Sequence, residues 1–461
     1  MSQHREFRLS PVEGLPLELV RMVLSALSDV ASLQAAVLSC PLFYHPFLEA
    51  ETAITTPVLL NQIDANVLPK ALATFESSQL RPHDTDPKTW EAVTDFVTRN
   101  LRQRPCAPTS WSLLKALRLE RLHFHVDRLT KKFVEVALTN PPLNPSTSTA
   151  TCQERCRIER ALFRFELYCN LFRESMGVQP SIYGEQKQLF FANFAPWENE
   201  QLGCIHDFLV RAVSPAFNDI AEHDVAWGVF QVEYSNRVDS PFIQEVLSLG
   251  LEKLHQIVNA ETYEERWRLL NSRECPNATV SFLHDGLQGA NERNDNIFLD
   301  DMTPEDEVVH IKQPFFADQD SGPADVWRWA HQEESWANWV YQENRRGLRQ
   351  WGYVMWDRSR LNAVGIFQDP WEDTDGSEES LLEEQEAARE RAYMQNSWEK
   401  REEIFMRGGT GWWSWGDESK VRWRGGKAPI QGPSVPARGV PVSLQDARDI
   451  LSMIKLPPSL R

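Results

Sequence analysis

Apolar residues recur at helical spacing along most of this 461-residue chain, whereas no two segments show the alternating pattern expected of paired strands. Residues 110 to 139, for example, place leucine, phenylalanine and valine at the spacing of one helical face, which predicts a long amphipathic helix. Hydrophobic residues make up 42% of the chain, which is ample for substantial cores. The sequence therefore predicts a mainly α fold: a three-helix N-terminal unit, followed by an irregular multi-helix body with long loops.

Residues 14 to 50 contain the predicted N-terminal helices, which carry more apolar side chains than they can bury among themselves. Pro16 suits the first turn of the first helix, and Asp29 can cap the second. Pro46 predicts that the third helix is short or irregular. The surplus of apolar side chains predicts a docking surface for a protein partner.

The same segment resembles an F-box, the small three-helix adaptor motif of SCF-type ubiquitin ligases. The resemblance implies a substrate receptor without chemistry of its own, whose Leu-Pro turn and first helices bind a Skp-family linker subunit. The body would then hold a target protein, which the sequence does not identify. The family often has a tryptophan and a basic residue shortly after the cysteine, whereas the cysteine here is followed by Pro-Leu-Phe-Tyr. The residues that carry the resemblance, and that it implies bind the partner, are Leu15, Pro16, Leu19, Leu24, Leu27, Leu33, Val37, Cys40 and Phe43.

Two further phrases, residues 220–227 and 351–358, are similar to uncharacterised filamentous-fungal proteins that begin with an F-box-like segment. This similarity implies no known chemistry. The alternative for residues 14 to 50 is a plain helical subdomain that packs on the body. In that case the protein is a helical scaffold or interaction protein with no role in a ligase.

The chain carries a net charge of −18, which argues against nucleic acid or anionic lipid as a partner of the whole chain. A phosphate backbone needs a basic face, because binding is driven by the release of its counterions. No apolar run approaches the length of a membrane span, and residues 1–10 are too polar for the core of a signal peptide. We therefore expect the protein in the cytoplasm or nucleus.

Cysteine and histidine spacing predicts no metal site and no cofactor. Cys152 and Cys156 are four residues apart and would share one face of a helix. Zinc needs four ligands, and the next candidate, Cys169, stands alone in the sequence. Two reduced, buried or half-buried thiols are therefore the expectation.

Catalytic motifs are also missing from the sequence, including the Gly-x-Ser-x-Gly elbow and the His-Glu-x-x-His zinc motif. Glu222, His223 and Asp224 are three consecutive titratable residues, but on a helix they would point to different faces. A histidine in such a place more often satisfies a structural hydrogen bond. An enzyme that uses His223 is thus the third and least favoured hypothesis.

The rest of the chain divides by composition. The region from residue 325 contains many tryptophans. We expect them to form a buried aromatic core in preference to an exposed surface for stacking. Thr56 and Pro57 predict the start of a further helix. The predicted segments are 11–60, the F-box-like unit; 61–140, a helical extension; 151–367, a helical body with a surface loop or partly disordered insertion at 271–320; 369–407, an acidic helix or tether; 408–442, a flexible Gly/Trp/Arg-rich segment; and 443–455, a short C-terminal helix.

Overall fold

The part of the chain that the computed structural model describes is mainly helical, which confirms the predicted fold class. In this part, no helix is both long and apolar enough to cross a lipid bilayer. One large core connects buried apolar side chains from Val20 to Leu361. The described residues are 14–80, 87–102, 111–143, 149–172, 189–234, 240–270, 282–289, 299–332, 341–371 and 377–424.

The N-terminal segment forms the predicted helices and one more that packs on them. Helix α1 packs against α3 and α4, and α2 packs against the same two helices. The carboxylate of Asp29 caps α2 as predicted, because it accepts a hydrogen bond from the backbone N–H of Ser32 at 2.7 Å. The bounds are α1 (Leu17–Ser25), α2 (Val30–Ser39), α3 (Pro41–Glu49) and α4 (Glu51–Gln62).

Helix α4 corrects the expectation that Thr56 and Pro57 begin a helix, since both lie inside it. A proline within a helix removes one backbone hydrogen bond. Here the neighbouring Val58 and Leu59 are fully buried. We infer that their burial offsets the lost hydrogen bond, so that local sequence preference is overridden by tertiary packing.

A helical body follows the N-terminal unit. The long helix predicted within residues 110 to 139 is present, and Ser112 caps it. Helices α8 and α9 lie at the centre: α8 packs against α5, α7 and α9, and α9 also packs against α11, α12 and α13. The bounds are α5 (Leu68–Ser77), α6 (Pro87–Val97), a π-helix (Thr98–Arg102), α7 (Leu113–Thr139), α8 (Cys152–Phe172), α9 (Pro196–His223), α10 (Val225–Val229), α11 (Pro241–Leu247), α12 (Leu251–Val258) and α13 (Tyr263–Leu270).

The insertion at 271–320 is more regular, where it is described, than the loop that the sequence predicted. It contributes helical segments, and Leu283 and Leu287 are fully buried in the main core. These helices are too short to show a helical period in the sequence. From residue 283 onward the helices are α14 (Leu283–Gly289), a 3-10 helix (Leu299–Asp301), α15 (Pro304–His310), α16 (Gly322–His331), a 3-10 helix (Glu343–Arg345), α17 (Arg346–Gln350), a 3-10 helix (Tyr353–Met355) and α18 (Arg358–Ala363).

The acidic region forms helix α19 (Ser377–Met406), and a small antiparallel hairpin follows it. Its strands are β1 (Gly409–Gly411) and β2 (Val421–Trp423). This hairpin corrects the expectation of a flexible segment throughout 408–442, because Trp413, Val421 and Ile404 form a second small core around Val225. The predicted helix at 443–455 lies outside the described residues.

Candidate functional site

Helix α1 carries apolar side chains well beyond the stripe that it buries. Val20 and Leu24 point inward and are 0% and 1% exposed. Leu19, Met22 and Val23 of the same helix are 43%, 65% and 50% exposed. An ordinary surface helix buries its apolar stripe and leaves polar residues outside, so this helix carries apolar side chains in excess.

Further exposed apolar residues lie on α2 and α3. Leu38 is 70% exposed, and Leu48 is 54% exposed, while Phe47 beside it is buried. A cluster of exposed apolar side chains commonly marks a protein interaction site, whereas single exposed apolar side chains are normal on protein surfaces. We call the exposed members of α1, α2 and α3 the outer apolar residues: Leu17, Leu19, Met22, Val23, Leu38, Tyr44 and Leu48.

Polar contacts connect α1 to α3 and α4. The guanidinium of Arg21 on α1 pairs with Glu49 on α3 at 2.5 Å. The side-chain amide of Asn61 donates hydrogen bonds to the carbonyls of Leu27 and Ser25 at 2.9 and 3.2 Å, just after and at the end of α1. Such contacts satisfy carbonyls that a helix end leaves free. Helix α1, with its exposed apolar side chains, is therefore tied to two neighbouring helices.

The residues implied by the F-box resemblance divide into three groups. Pro16 and Leu19 are exposed. Leu24, Leu33 and Val37 are buried in the main core. The half-buried members are Leu15, Leu27, Cys40 and Phe43.

The sequence did not lead us to predict that four apolar residues are exposed: Met22, Val23, Leu38 and Leu48. The helical spacing of Leu19, Val20, Val23 and Leu24 predicts one continuous apolar face that includes Val23, whereas Met22 is apolar but lies outside that spacing. Periodicity detects the stripe but does not tell which side of a doubly apolar helix faces the body. The structure supplies that assignment.

His223 holds the hairpin at the end of α9. Its Nδ1–H donates a hydrogen bond to the carbonyl of Trp413 at 3.1 Å, and the N–H of Trp413 donates to the carbonyl of His223 at 2.9 Å. Glu222 instead accepts a hydrogen bond from Tyr393, and the carboxylate of Asp224 caps α10. The three consecutive side chains point apart as predicted. The hydrogen bonds between His223 and Trp413 connect the hairpin to the end of α9.

A buried charged cluster joins α9, which carries Glu200 and Asp207, to Arg349 on α17. The guanidinium of Arg349 donates from Nε to Asp207 at 2.7 Å and from Nη1 to Glu200 at 3.3 Å. Asp207 also accepts hydrogen bonds from the hydroxyl of Tyr341 at 3.0 Å and from Nδ1–H of His206 at 2.9 Å. Sequence reasoning missed this cluster, because Arg349 follows Asp207 by 142 residues.

The two carboxyls of this cluster titrate in opposite directions. Burial opposes the charge on Asp207, but Arg349 and His206 outweigh burial and hold the pKa of Asp207 below its usual range. Burial raises the pKa of Glu200 to about 7, and the more distant contact with Arg349 offsets this only in part. One guanidinium can neutralise one carboxylate, so the cluster is closest to neutral when Glu200 is protonated. The side chains of Asp207, Glu200 and Arg349 are closed to solvent, which favours a structural role.

Tryptophans of the region after residue 325 lie mainly in the core. Trp327 and Trp356 are fully buried, and Trp351 is 3% exposed. The indole N–H of Trp356 donates a hydrogen bond to the carbonyl of Trp351 at 2.7 Å. This agrees with the expectation of an aromatic core; Trp336 and Trp339 lie outside the described residues.

Cys152 and Cys156 are free thiols on one face of α8, and Asp64 lies beside them. Cys156 is buried as expected, but Cys152 is exposed, because it lies at the first residue of the helix. Burial, together with the charge of Asp64 and the neighbouring Cys152, raises the pKa of the Cys156 thiol to about 12. The thiol is therefore protonated at neutral pH. Sequence reasoning missed Asp64, which precedes Cys152 by 88 residues.

Comparisons of the chain with protein-family models, with curated proteins and with solved structures give no match.

Proposed function

We propose that the protein is a substrate-recruiting adaptor of an SCF-type ubiquitin ligase. In this proposal the outer apolar residues of α1 to α3 bind a Skp-family linker subunit, and the helical body holds a target protein. The protein acts by binding and performs no chemistry of its own. We expect it in the cytoplasm or nucleus.

The observation that carries the proposal is the exposure of Leu19, Met22 and Val23 on a helix whose inward side is already filled. These side chains are 43% to 65% exposed, while Val20 and Leu24 occupy the core. Burying apolar surface is worth about 25 cal/mol per Å², so a partner that covers these residues gains binding energy without disturbing the fold. The net charge of −18 supports a protein partner in preference to nucleic acid.

The packing of the N-terminal helices also supports a second function, that of a scaffold with no ligase role. Leu24, Leu33 and Val37 belong to the same core as the body. The backbone N–H of Ala31 on α2 donates a hydrogen bond to Glu120 on α7 at 3.1 Å. A unit attached in this way can be an integral part of the body whose exposed side binds some other protein.

Co-purification of the tagged full-length protein from cells that contain SCF-type ligases separates the two functions. The adaptor proposal predicts that the linker and cullin subunits are recovered with the wild type. The double substitution Leu19→Glu/Val23→Glu should abolish their recovery, because it places charge on the exposed side of α1 and leaves the core intact. A matched control is Val308→Glu/Val309→Glu on α15, where both valines are more than 70% exposed.

The control variant should recover both subunits at the wild-type level. The adaptor proposal is wrong if the wild type recovers neither subunit. It is equally wrong if the α1 variant and the control retain the same amount of linker. Loss of other proteins from the α1 variant, with no linker in any sample, would support the scaffold function.

A further inference from the structure

Two thiols and a carboxylate meet where α8 begins. Cys152 is the first residue of α8, and Cys156 follows one turn later on the same face. Asp64 lies in the short connection between α4 and α5. One ligand atom from each of the three residues lies within 4.8 Å of the other two.

We propose that Asp64, Cys152 and Cys156 bind a thiophilic divalent cation, with Zn²⁺ as the best fit. Zinc is bound by cysteine sulfur at about 2.3 Å and by carboxylate oxygen at about 2.0–2.2 Å, so ligand atoms around one ion stand somewhat less than 4 Å apart. The three ligand atoms, which lie within 4.8 Å of one another, would move somewhat closer together to bind an ion. Three protein ligands leave the fourth tetrahedral position to a water molecule.

The carboxylate of Asp64 is already turned toward the thiols. Its Oδ1 accepts a hydrogen bond from the backbone N–H of Asn66 at 2.8 Å. Its Oδ2 lies 3.8 Å from Sγ of Cys152. A hydrogen bond to one oxygen of a carboxylate fixes the direction of the other, which is how surrounding groups orient a metal ligand.

The backbone that carries the thiols is also fixed. The backbone N–H of Thr151 donates to Glu154 at 2.8 Å, and the N–H of Glu154 donates to the hydroxyl of Thr151 at 3.1 Å. This reciprocal pair closes the first turn of α8. Helix α5, which follows Asp64, is held to α8 by the hydroxyl of Thr74, which donates to the carbonyl of Phe163 at 3.0 Å.

The charges around the thiols favour a cation. Asp64 and Glu159 both place negative charge near Cys156. Arg160 is a cation that opposes them near Cys156, but its guanidinium pairs with Asp318 at 3.3 Å. Glu159 in turn lies 3.5 Å from His123. Binding of the ion would release both thiol protons to solvent, because thiolates are the ligands.

A bound ion at this position would join the end of the N-terminal unit to the central helix of the body. It would do so independently of whether the outer apolar residues bind a linker subunit. The expected consequence is a more stable junction, because an ion that binds the folded state alone raises the stability of that state.

Titration of the reduced full-length protein with Co²⁺, followed by competition with Zn²⁺, tests the site. We expect one Co²⁺ per chain, with the sulfur-to-metal absorption band of thiolate ligation, and displacement by Zn²⁺. Cys152→Ser and Cys156→Ser should each abolish the band. Asp64→Asn, which keeps the shape and removes the charge, should weaken binding by about tenfold or more.

Cys169→Ser is the matched control, because Cys169 lies on the same helix with its thiol directed to the carbonyl of Leu247. This variant should bind Co²⁺ as the wild type does, and circular dichroism of every variant checks that the helices are retained. The proposal is overturned if the reduced wild type gives no thiolate band. It is also overturned if the band survives both single cysteine substitutions, or if the two thiols form a disulfide readily while the reduced protein binds neither metal.

Discussion

Helix α1 exposes apolar side chains and helix α9 buries charged ones. The two helices thus depart in opposite ways from the usual arrangement, in which apolar side chains lie inside and charged ones outside. Helix α1 exposes Leu19 and Met22 at 43% and 65%, whereas α9 buries Asp207 and Glu200 at 0% and 1%. The buried charges have internal partners, since Arg349 contacts both carboxyls. Charged side chains that are paired inside the protein stabilise its fold, whereas a cluster of exposed apolar side chains commonly marks an interaction site.

The largest effect should come from breaking the buried network. Asp207→Ala leaves Arg349 enclosed without its closest carboxylate, and removal of one partner from a buried ion pair costs about 3–5 kcal/mol. Urea unfolding of the purified variant measures this loss in the free energy of unfolding. The control on the same helix is Asp219→Ala, which breaks a partly exposed pair with Arg266.

A pair of that exposed kind contributes at most about 1 kcal/mol. Equal losses in the Asp207 and Asp219 variants would show that the buried network is no more important for stability than the surface pair. The conclusion that the buried charges of α9 stabilise the fold would then be wrong.

Substitution of a buried and of an exposed side chain on α1 should have very different effects on the free energy of unfolding. Leu24→Ala removes a buried side chain and should lower the free energy of unfolding by about 2–5 kcal/mol. Met22→Ala, on the exposed side, should change it by no more than about 0.5 kcal/mol. Chemical unfolding of both variants gives the two values, and a large loss for Met22→Ala would mean that this side chain is packed in solution.

The titration of Glu200 predicts a pH dependence of stability. Its pKa of about 7 in the folded state lies above the unfolded value of about 4.3, so the folded protein holds an extra proton between these values. Stability from this group is present below about pH 4 and is lost as the pH rises through 7, at up to about 1.4 kcal/mol per pH unit.

Glu200→Gln keeps the shape of the side chain and removes the titration. The wild type should therefore lose stability relative to this variant between about pH 5 and pH 8, by roughly 1–3 kcal/mol. Urea unfolding at both pH values measures the difference. Parallel stability curves for the two proteins would contradict the assigned titration.

The smallest expected effect concerns the cap of α2. Asp29→Ala removes the acceptor for the N–H of Ser32 and should cost about 1 kcal/mol. Asp29→Asn should restore most of this, because asparagine caps helices about as well as aspartate. Thermal unfolding of the two variants compares them, and an equal loss for both would mean that charge, not capping geometry, is what Asp29 supplies.

Local features of the fold could be predicted from the sequence, whereas contacts between distant segments could not. The cap at Asp29 and the long helix α7 depend on residues a few positions apart, so spacing alone identifies them. The pairing of Asp207 with Arg349 and the approach of Asp64 to Cys152 join segments far apart in the chain. No period in a sequence encodes such contacts.

The candidate site shows the same limit. The excess of apolar residues in the first helices was visible in the sequence, but the division between Leu24 inside and Met22 outside was not. The hairpin after α19 was missed because its strands, Gly-Thr-Gly and Val-Arg-Trp, have only three residues each, which is too few to show a strand pattern. Its docking depends on Trp413 meeting the end of α9, which is again a distant contact.

The most direct test of the adaptor proposal is the dissociation constant between the purified protein and a purified Skp-family linker subunit. Calorimetric titration should give saturable one-to-one binding for the wild type. Leu19→Glu/Val23→Glu should weaken it by about thirtyfold or more, the effect of losing a central apolar contact. An unchanged dissociation constant in this variant, or no binding by the wild type, would contradict the proposal.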